Sequence, residues 1–230
     1  MPLRQRTGYK VALGITSLVV VFLVIPLLAI VFLGRSAERT PGDGITVDPS
    51  DGSYRDAIGN EYEVEPEGEV TDGVTALDDG WIRFSHTDGL FTIELPDVPE
   101  SNQVSLQGPM TDSMEVGSWM AFGDGGEIVS LSAVPMPPEL MAEMADDPEG
   151  ATKEMLAGAS ASSGFDFDPG TRLEVDGHLA LRTTADIGAP TPSEFLFVVL
   201  DEGLLTVFVA GDGPGTTDVT ERVFGSITVP

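Results

Sequence analysis

The chain has 230 residues, with 38 Asp and Glu against 11 Lys and Arg, two His, no cysteine and an isoelectric point near 4.1. Without thiols it forms no disulfide, binds no metal through cysteine and offers no thiolate nucleophile, so an ordinary apolar core must stabilise it. From residue 40 onward six basic residues face 37 acidic ones, a formal charge of −31, and such a field repels nucleic acid and anionic lipid. The acids are dispersed, which suits a solubility surface in a cation-rich exterior as well as the attraction of basic partners.

Residues 1–10 are a stub carrying Arg4, Arg6 and Lys10 with no acid, and residues 11–33 are an uncharged apolar run. A helix rising about 1.5 Å per residue over that run reaches roughly 34 Å, enough for a hydrocarbon core of about 30 Å. The expectation is a transmembrane helix over 11–33, kinked mildly at Pro26, with a cytoplasmic N-terminus by the positive-inside bias. The cell membrane is then the first partner, and the rest of the chain is extracytoplasmic. The rival reading is a cleaved secretory signal. Such signals have an apolar core of about 7 to 15 residues and a small-residue cleavage site, to which Leu33-Gly34-Arg35-Ser36-Ala37 conforms poorly. Either reading exports the remainder of the chain.

Residues 34–79 are rich in Gly, Pro, Asp and Glu and poor in large apolar residues. They read as an extended, self-repelling acidic linker, with a weak alternation over 60–64 as a candidate strand. Residues 80–230 suffice for one domain with a sizeable core. Trp81 to Ser85 and Phe91 to Leu95 alternate apolar and polar around His86-Thr87-Asp88-Gly89, which predicts a hairpin. Further strands are expected at 104–106, 119–122 and 128–134, the last two joined by Gly123-Asp124-Gly125-Gly126.

Pro138 opens a short helix with Leu140, Met141 and Met144 at helical spacing. Asp147-Pro148 opens a second, with Ala151, Met155, Leu156 and Ala159 on one face and a stop by Gly164. Strands resume at 172–175, 179–185, 195–201 and 204–210, around tight turns at Asp176-Gly177 and Glu202-Gly203. The last two are nearly continuous in apolar residues, so both faces of the sheet must be covered, and helices are the expected cover. Asp218 and Glu221 are spaced as a capping box, with Val219, Val223 and Ile227 on one face of a closing helix. The expected class is therefore α+β: an N-terminal transmembrane helix plus an antiparallel β-sheet flanked by helices.

Three segments carry a family resemblance. Gly89-Leu90-Phe91-Thr92-Ile93-Glu94-Leu95-Pro96 resembles the opening strand of PsbP-like domains, and Val175-Asp176-Gly177-His178-Leu179-Ala180-Leu181-Arg182 is similar to their central hairpin. Phe195 to Ala210, followed by a helix ending Val223-Phe224-Gly225-Ser226-Ile227, resembles their close. The resemblance implies an α/β/α sandwich of the kind found in a photosystem II extrinsic subunit, a Ran-binding import factor and bacterial membrane-anchored envelope proteins. It implies no shared catalytic residues, so no site residue is carried over, and fold alone does not imply function.

Chemistry-bearing residues are few. His86 and His178 fall in expected turns, and neither has a partner at metal-ligand spacing. No Gly-x-Ser-x-Gly occurs, and Ser160, Ser162 and Ser163 lie at a helix end, where capping accounts for them. Asp166-Phe167-Asp168-Pro169-Gly170 comes nearest to a calcium loop, with Asp166 and Asp168 as alternating oxygen ligands. It lacks a third ligand and the terminal glutamate. Asp124, Asp212 and Asp78-Asp79 serve equally well as turn residues. Seven of the eight methionines fall between Met110 and Met155. Thioethers such as Met141 and Met144 suit Cu(I), while methionine is also an adaptable core filler or the lining of a partner groove.

The expected protein is thus a non-enzymatic, single-pass membrane-anchored binding or accessory domain with a protein partner in the cell envelope and no cofactor. The alternatives are a cation-handling module that takes Ca2+ or Cu+ through those acidic turns or methionines, and an unrecognised hydrolase.

Overall fold

A computed structural model describes residues 46–48, 53–55, 61–108, 111–163, 165–187 and 193–230. The strands among them are β1 (Thr46–Asp48), β2 (Ser53–Arg55), β3 (Glu61–Glu69), β4 (Val74–Ala76), β5 (Ile82–Ser85), β6 (Thr92–Leu95), β7 (Glu100–Gly108), β8 (Thr111–Phe122), β9 (Ile128–Pro135), β10 (Thr171–Val175), β11 (His178–Ala185), β12 (Ser193–Val199) and β13 (Gly203–Ala210). The helices are α1 (Pro138–Asp146), α2 (Pro148–Ser163) and α3 (Thr216–Gly225). Ten strands form one antiparallel sheet in the order β1-β2-β3-β7-β8-β9-β13-β12-β11-β10, and β4-β5-β6 form a second, three-stranded sheet.

The centre of the large sheet is built from its most apolar strands. Every residue of β13 is buried, as expected where both faces of a strand are covered. Its period-2 alternation divides the core in two. Leu204, Phe208 and Ala210 join Phe195 and Phe197 of β12 beneath Met144 of α1 and Met155, Leu156 and Ala159 of α2. Leu205, Val207 and Val209 join Leu196 and Val198 against Phe84, Ile93 and Leu95 of the small sheet and Val223 and Phe224 of α3. Burial of each large apolar side chain contributes about 1.5–3 kcal/mol, so the two cores together dominate the stability of the fold.

The expected α+β class, a transmembrane helix plus a sheet sandwiched between helices, is corrected by this arrangement. The described chain is mostly antiparallel β-sheet with three helices. Helices α1 and α2 cover one face alone, whereas the other face is covered largely by β4-β5-β6, with α3 beside it. The physical reason lies in the alternation of Ile82, Phe84, Ile93 and Leu95, all buried: the hairpin presents one apolar face and packs it as a second sheet layer. No helix among the described residues is long and apolar enough to cross a membrane. Residues 11–33, where the span was expected, lie outside the described residues.

Within 34–79, β3 pairs along its length with β7, from Glu61 opposite Gln107 to Glu69 opposite Glu100. Backbone hydrogen bonds to a neighbouring strand thus incorporate this acidic stretch into the large sheet. The Asp176-Gly177 turn has φ of 50° and 86° at its two central residues, the left-handed pair that a two-residue hairpin loop requires. Helix α3 starts at Thr216 with Gly215 as N-cap and no side-chain cap, so the Asp218–Glu221 capping box does not form. Glu221 pairs instead with Arg182 of β11 at 2.7 Å.

Candidate acidic-aromatic cleft

The small sheet meets the large one at a cleft of about 330 Å³. Its acidic wall begins in β3, where the register with β7 shifts between Pro66 and Gly68. An extra residue of this kind bends a strand and re-aims its side chain, and here that residue is Glu67. Ser101 of β7 donates its hydroxyl to Glu67 Oε2 at 2.7 Å, which holds the carboxylate at the rim. Glu69 and Asp72 continue the wall along the chain leaving β3, both exposed.

That chain is pinned at two points. The amide of Val70 donates to the carbonyl of Pro99 at 2.9 Å, and the amide of Ser85 donates to the carbonyl of Gly73 at 2.8 Å. Gly73 has φ +73°, and a Cβ placed on it would lie 2.2 Å from the Ser85 carbonyl oxygen. The close approach and the left-handed backbone both demand glycine, and together they fix Asp72 at the cleft mouth.

The floor is aromatic. Trp119 of β8 is half-buried and Phe84 of β5 is fully buried, and both line the cleft. The Trp119 ring is braced by Phe84 at 5.5 Å, by His86 at 5.2 Å edge-on and by Phe91 at 6.0 Å, distances at which aromatic pairs attract. His86 is held neutral over a wider pH range than usual, because burial among these rings lowers its pKa more than nearby Asp88 raises it. A hydrophobic floor with convergent polar groups at the rim is the usual anatomy of a ligand pocket. With three carboxylates and an indole, this one favours a positively charged guest.

The residues singled out from sequence lie elsewhere. Asp166 and Asp168 are both exposed. The Asp168 carboxylate accepts the Thr184 hydroxyl, while its carbonyl accepts the Thr183 hydroxyl at 2.7 Å, so it fastens the chain before β10 to β11. Met144 is buried and Met141 packs beside it in the core under α1 and α2, together with Met120, Met136 and Met155. Among the described residues no group of three His, Asp or Glu is placed to hold a metal ion. His178 Nδ1 lies 3.0 Å from the Val199 carbonyl oxygen and 4.0 Å from Asp201, away from His86. Ser160 lies in α2 and is half-buried.

Glu67, Glu69, Asp72 and Trp119 were not singled out as site residues from sequence. One signal was present: glutamate at every second position from Glu61 to Glu69, a strand period written in charge rather than in hydrophobicity. In comparisons with known proteins, no family model, no curated protein and no solved structure matched this chain.

Proposed function

We propose that this chain is a non-enzymatic binding domain with an accessory role in the cell envelope, exported or retained at the membrane through its N-terminal apolar segment, and that the acidic-aromatic cleft is its binding surface. The observation that carries this reading is the cleft itself. Glu67, Glu69 and Asp72 line it together with Trp119 and Phe84 in about 330 Å³, a size near the lower end of small-ligand pockets. The strong negative charge outside the N-terminal segment supports a basic partner, since it raises the local concentration and association rate of cations.

The test is site-specific photocrosslinking of the full chain in its own cell envelope. A photoreactive residue replaces Thr87 at the cleft rim in one sample and Lys153 on α2, beneath the opposite face, in another. One discrete adduct from position 87, absent from position 153, supports a cleft-directed partner. Equal capture from both positions, or none from 87, rejects it. Fractionation of the same cells reports whether the chain sediments with membranes.

A further inference from the structure

Twice in this domain an arginine lies over an aromatic ring while two carboxylates hold its guanidinium. Arg222 of α3 places its guanidinium carbon 4.0 Å from the Trp81 ring centroid, pairing with Asp79 at 2.6 Å and with Glu94 at 2.9 Å. Arg182 of β11 sits 5.2 Å from the Phe224 centroid and pairs with Glu194 at 2.5 Å and Glu221 at 2.7 Å. The cleft gathers the same kinds of group, an aromatic ring and carboxylates, with no arginine or lysine of the chain's own among its lining residues. Trp119 is the ring, Glu69 and Asp72 are the free carboxylates, Glu67 is oriented by Ser101, and no basic side chain lines the site.

We propose that the cleft binds a guanidinium group supplied from outside the domain, and we infer that its usual source is an arginine side chain in an exposed segment of a partner protein. The inference rests on the cleft being the binding surface. A planar guanidinium stacks on an indole and presents its fork to carboxylates, which a compact, strongly hydrated ammonium does less well. Trp119 is suited to the role because Phe84, His86 and Phe91 already fix its ring, so little side-chain freedom is lost on binding. The opposing groups are also accounted for. Arg83, Arg182 and Arg222 are engaged by Glu94, Glu194, Glu221 and Asp79, and no basic residue is among those that line the cleft.

The experiment titrates the full chain, in detergent, with the tripeptide acetyl-Gly-Arg-Gly-amide and its lysine and citrulline counterparts, following the Trp119 indole resonance by NMR. Methylguanidinium and free arginine are titrated alongside. The arginine peptide should shift the resonance saturably. The lysine peptide should bind roughly fivefold more weakly, as loss of stacking and forked pairing requires, and the neutral citrulline peptide should not bind. Asp72→Asn and Glu69→Gln, both at exposed positions that leave the core intact, should each weaken the arginine peptide about three- to tenfold. Raised salt should weaken it further. Tighter binding of the peptide than of free arginine assigns the ligand to a protein segment, and equal binding assigns it to a small molecule of the same chemistry.

Equal binding of the citrulline peptide overturns the proposal, as does unchanged affinity in both rim variants. Thr87 crosslinking that succeeds while every guanidinium probe fails would leave the cleft as the binding surface and reject this ligand. Failure of the crosslink together with the probes would reject both.

Discussion

Arg222 and Trp81 are stacked, the guanidinium carbon of the helix residue 4.0 Å from the indole centroid. Around that contact Arg222 gathers Asp79 and Glu94, and Arg83 reaches Glu94 from the other side at 2.9 Å. One arginine thus ties α3 to β6 of the small sheet and to the turn that joins β4 to β5. These groups are partly exposed, so the pairs are individually modest. The stack adds roughly 0.5–2 kcal/mol.

Substitution Arg222→Ala should therefore lower unfolding stability by about 1–3 kcal/mol through loss of the stack and of two charge-assisted pairs. Arg222→Lys should recover less than half of the loss, since an ammonium cannot stack and fork at once. Urea denaturation followed by Trp fluorescence measures both, and equal stability of Arg222→Ala and the parent chain would refute the assignment.

Acid should act on the same network. Arg222 hydrogen-bonding holds Asp79 below the usual carboxyl range, Arg83 and then Arg222 hold Glu94 below it, and Arg182 does the same for Glu221. The native state consequently binds fewer protons than the unfolded state, and stability rises with pH in that window. The contribution is complete above about pH 4.5 and is lost as pH falls through the lowered native values. Relief of self-repulsion among the other acids works in the opposite direction. The informative quantity is accordingly the difference in urea midpoint between the parent chain and Arg222→Ala from pH 6 to pH 3, which should shrink as the pH drops.

Gly73→Ala should be among the most damaging single-methyl additions near the cleft. The new Cβ would meet the Ser85 carbonyl oxygen at 2.2 Å in a backbone with φ +73°, and left-handed backbone alone costs an L-residue roughly 1–2 kcal/mol. A destabilisation of about 2–4 kcal/mol is expected. Crosslinking from Thr87 should weaken with it, because the hydrogen bond from Ser85 to Gly73 anchors Asp72. Gly177→Ala offers a contrast, being strained in φ with nothing near its Cβ, and should cost less.

Thr206→Val should stabilise the protein. The Thr206 hydroxyl is buried at the centre of β13 without a hydrogen-bond partner, as is that of Ser118. Exchanging the hydroxyl for a methyl removes an unmet polar group at nearly constant shape, a gain of roughly 0.5–2 kcal/mol. A higher midpoint in urea is the expected result. A lower one would mean that a water or an internal acceptor satisfies the group.

Much of the local structure was legible in the chain. The hairpin around His86-Thr87-Asp88-Gly89, the Asp176-Gly177 turn and the apolar strands β12 and β13 each carry their signal within a few residues. Turn residues fix the backbone angles, and alternation or continuity of apolar residues fixes which faces are buried. The same holds for α2, whose Ala151, Met155, Leu156 and Ala159 are all buried as the spacing required. In α3 the local signal misled, because the Asp218–Glu221 spacing is that of a cap while Glu221 is held by Arg182, 39 residues away.

The sequence by itself determined the composition of the two cores, the paired strands joined by short turns and the acidic surface, because burial preference and turn chemistry act between near neighbours. Only the tertiary structure decided that β3 extends the large sheet beside β7, that β4-β5-β6 rather than helices cover most of one face, and that Glu67, Asp72, Ser101 and Trp119 share a cleft. Those outcomes depend on backbone hydrogen bonds and ring contacts between residues tens of positions apart, and a segment's own periodicity shows which of its faces is apolar or charged but not which distant segment it meets.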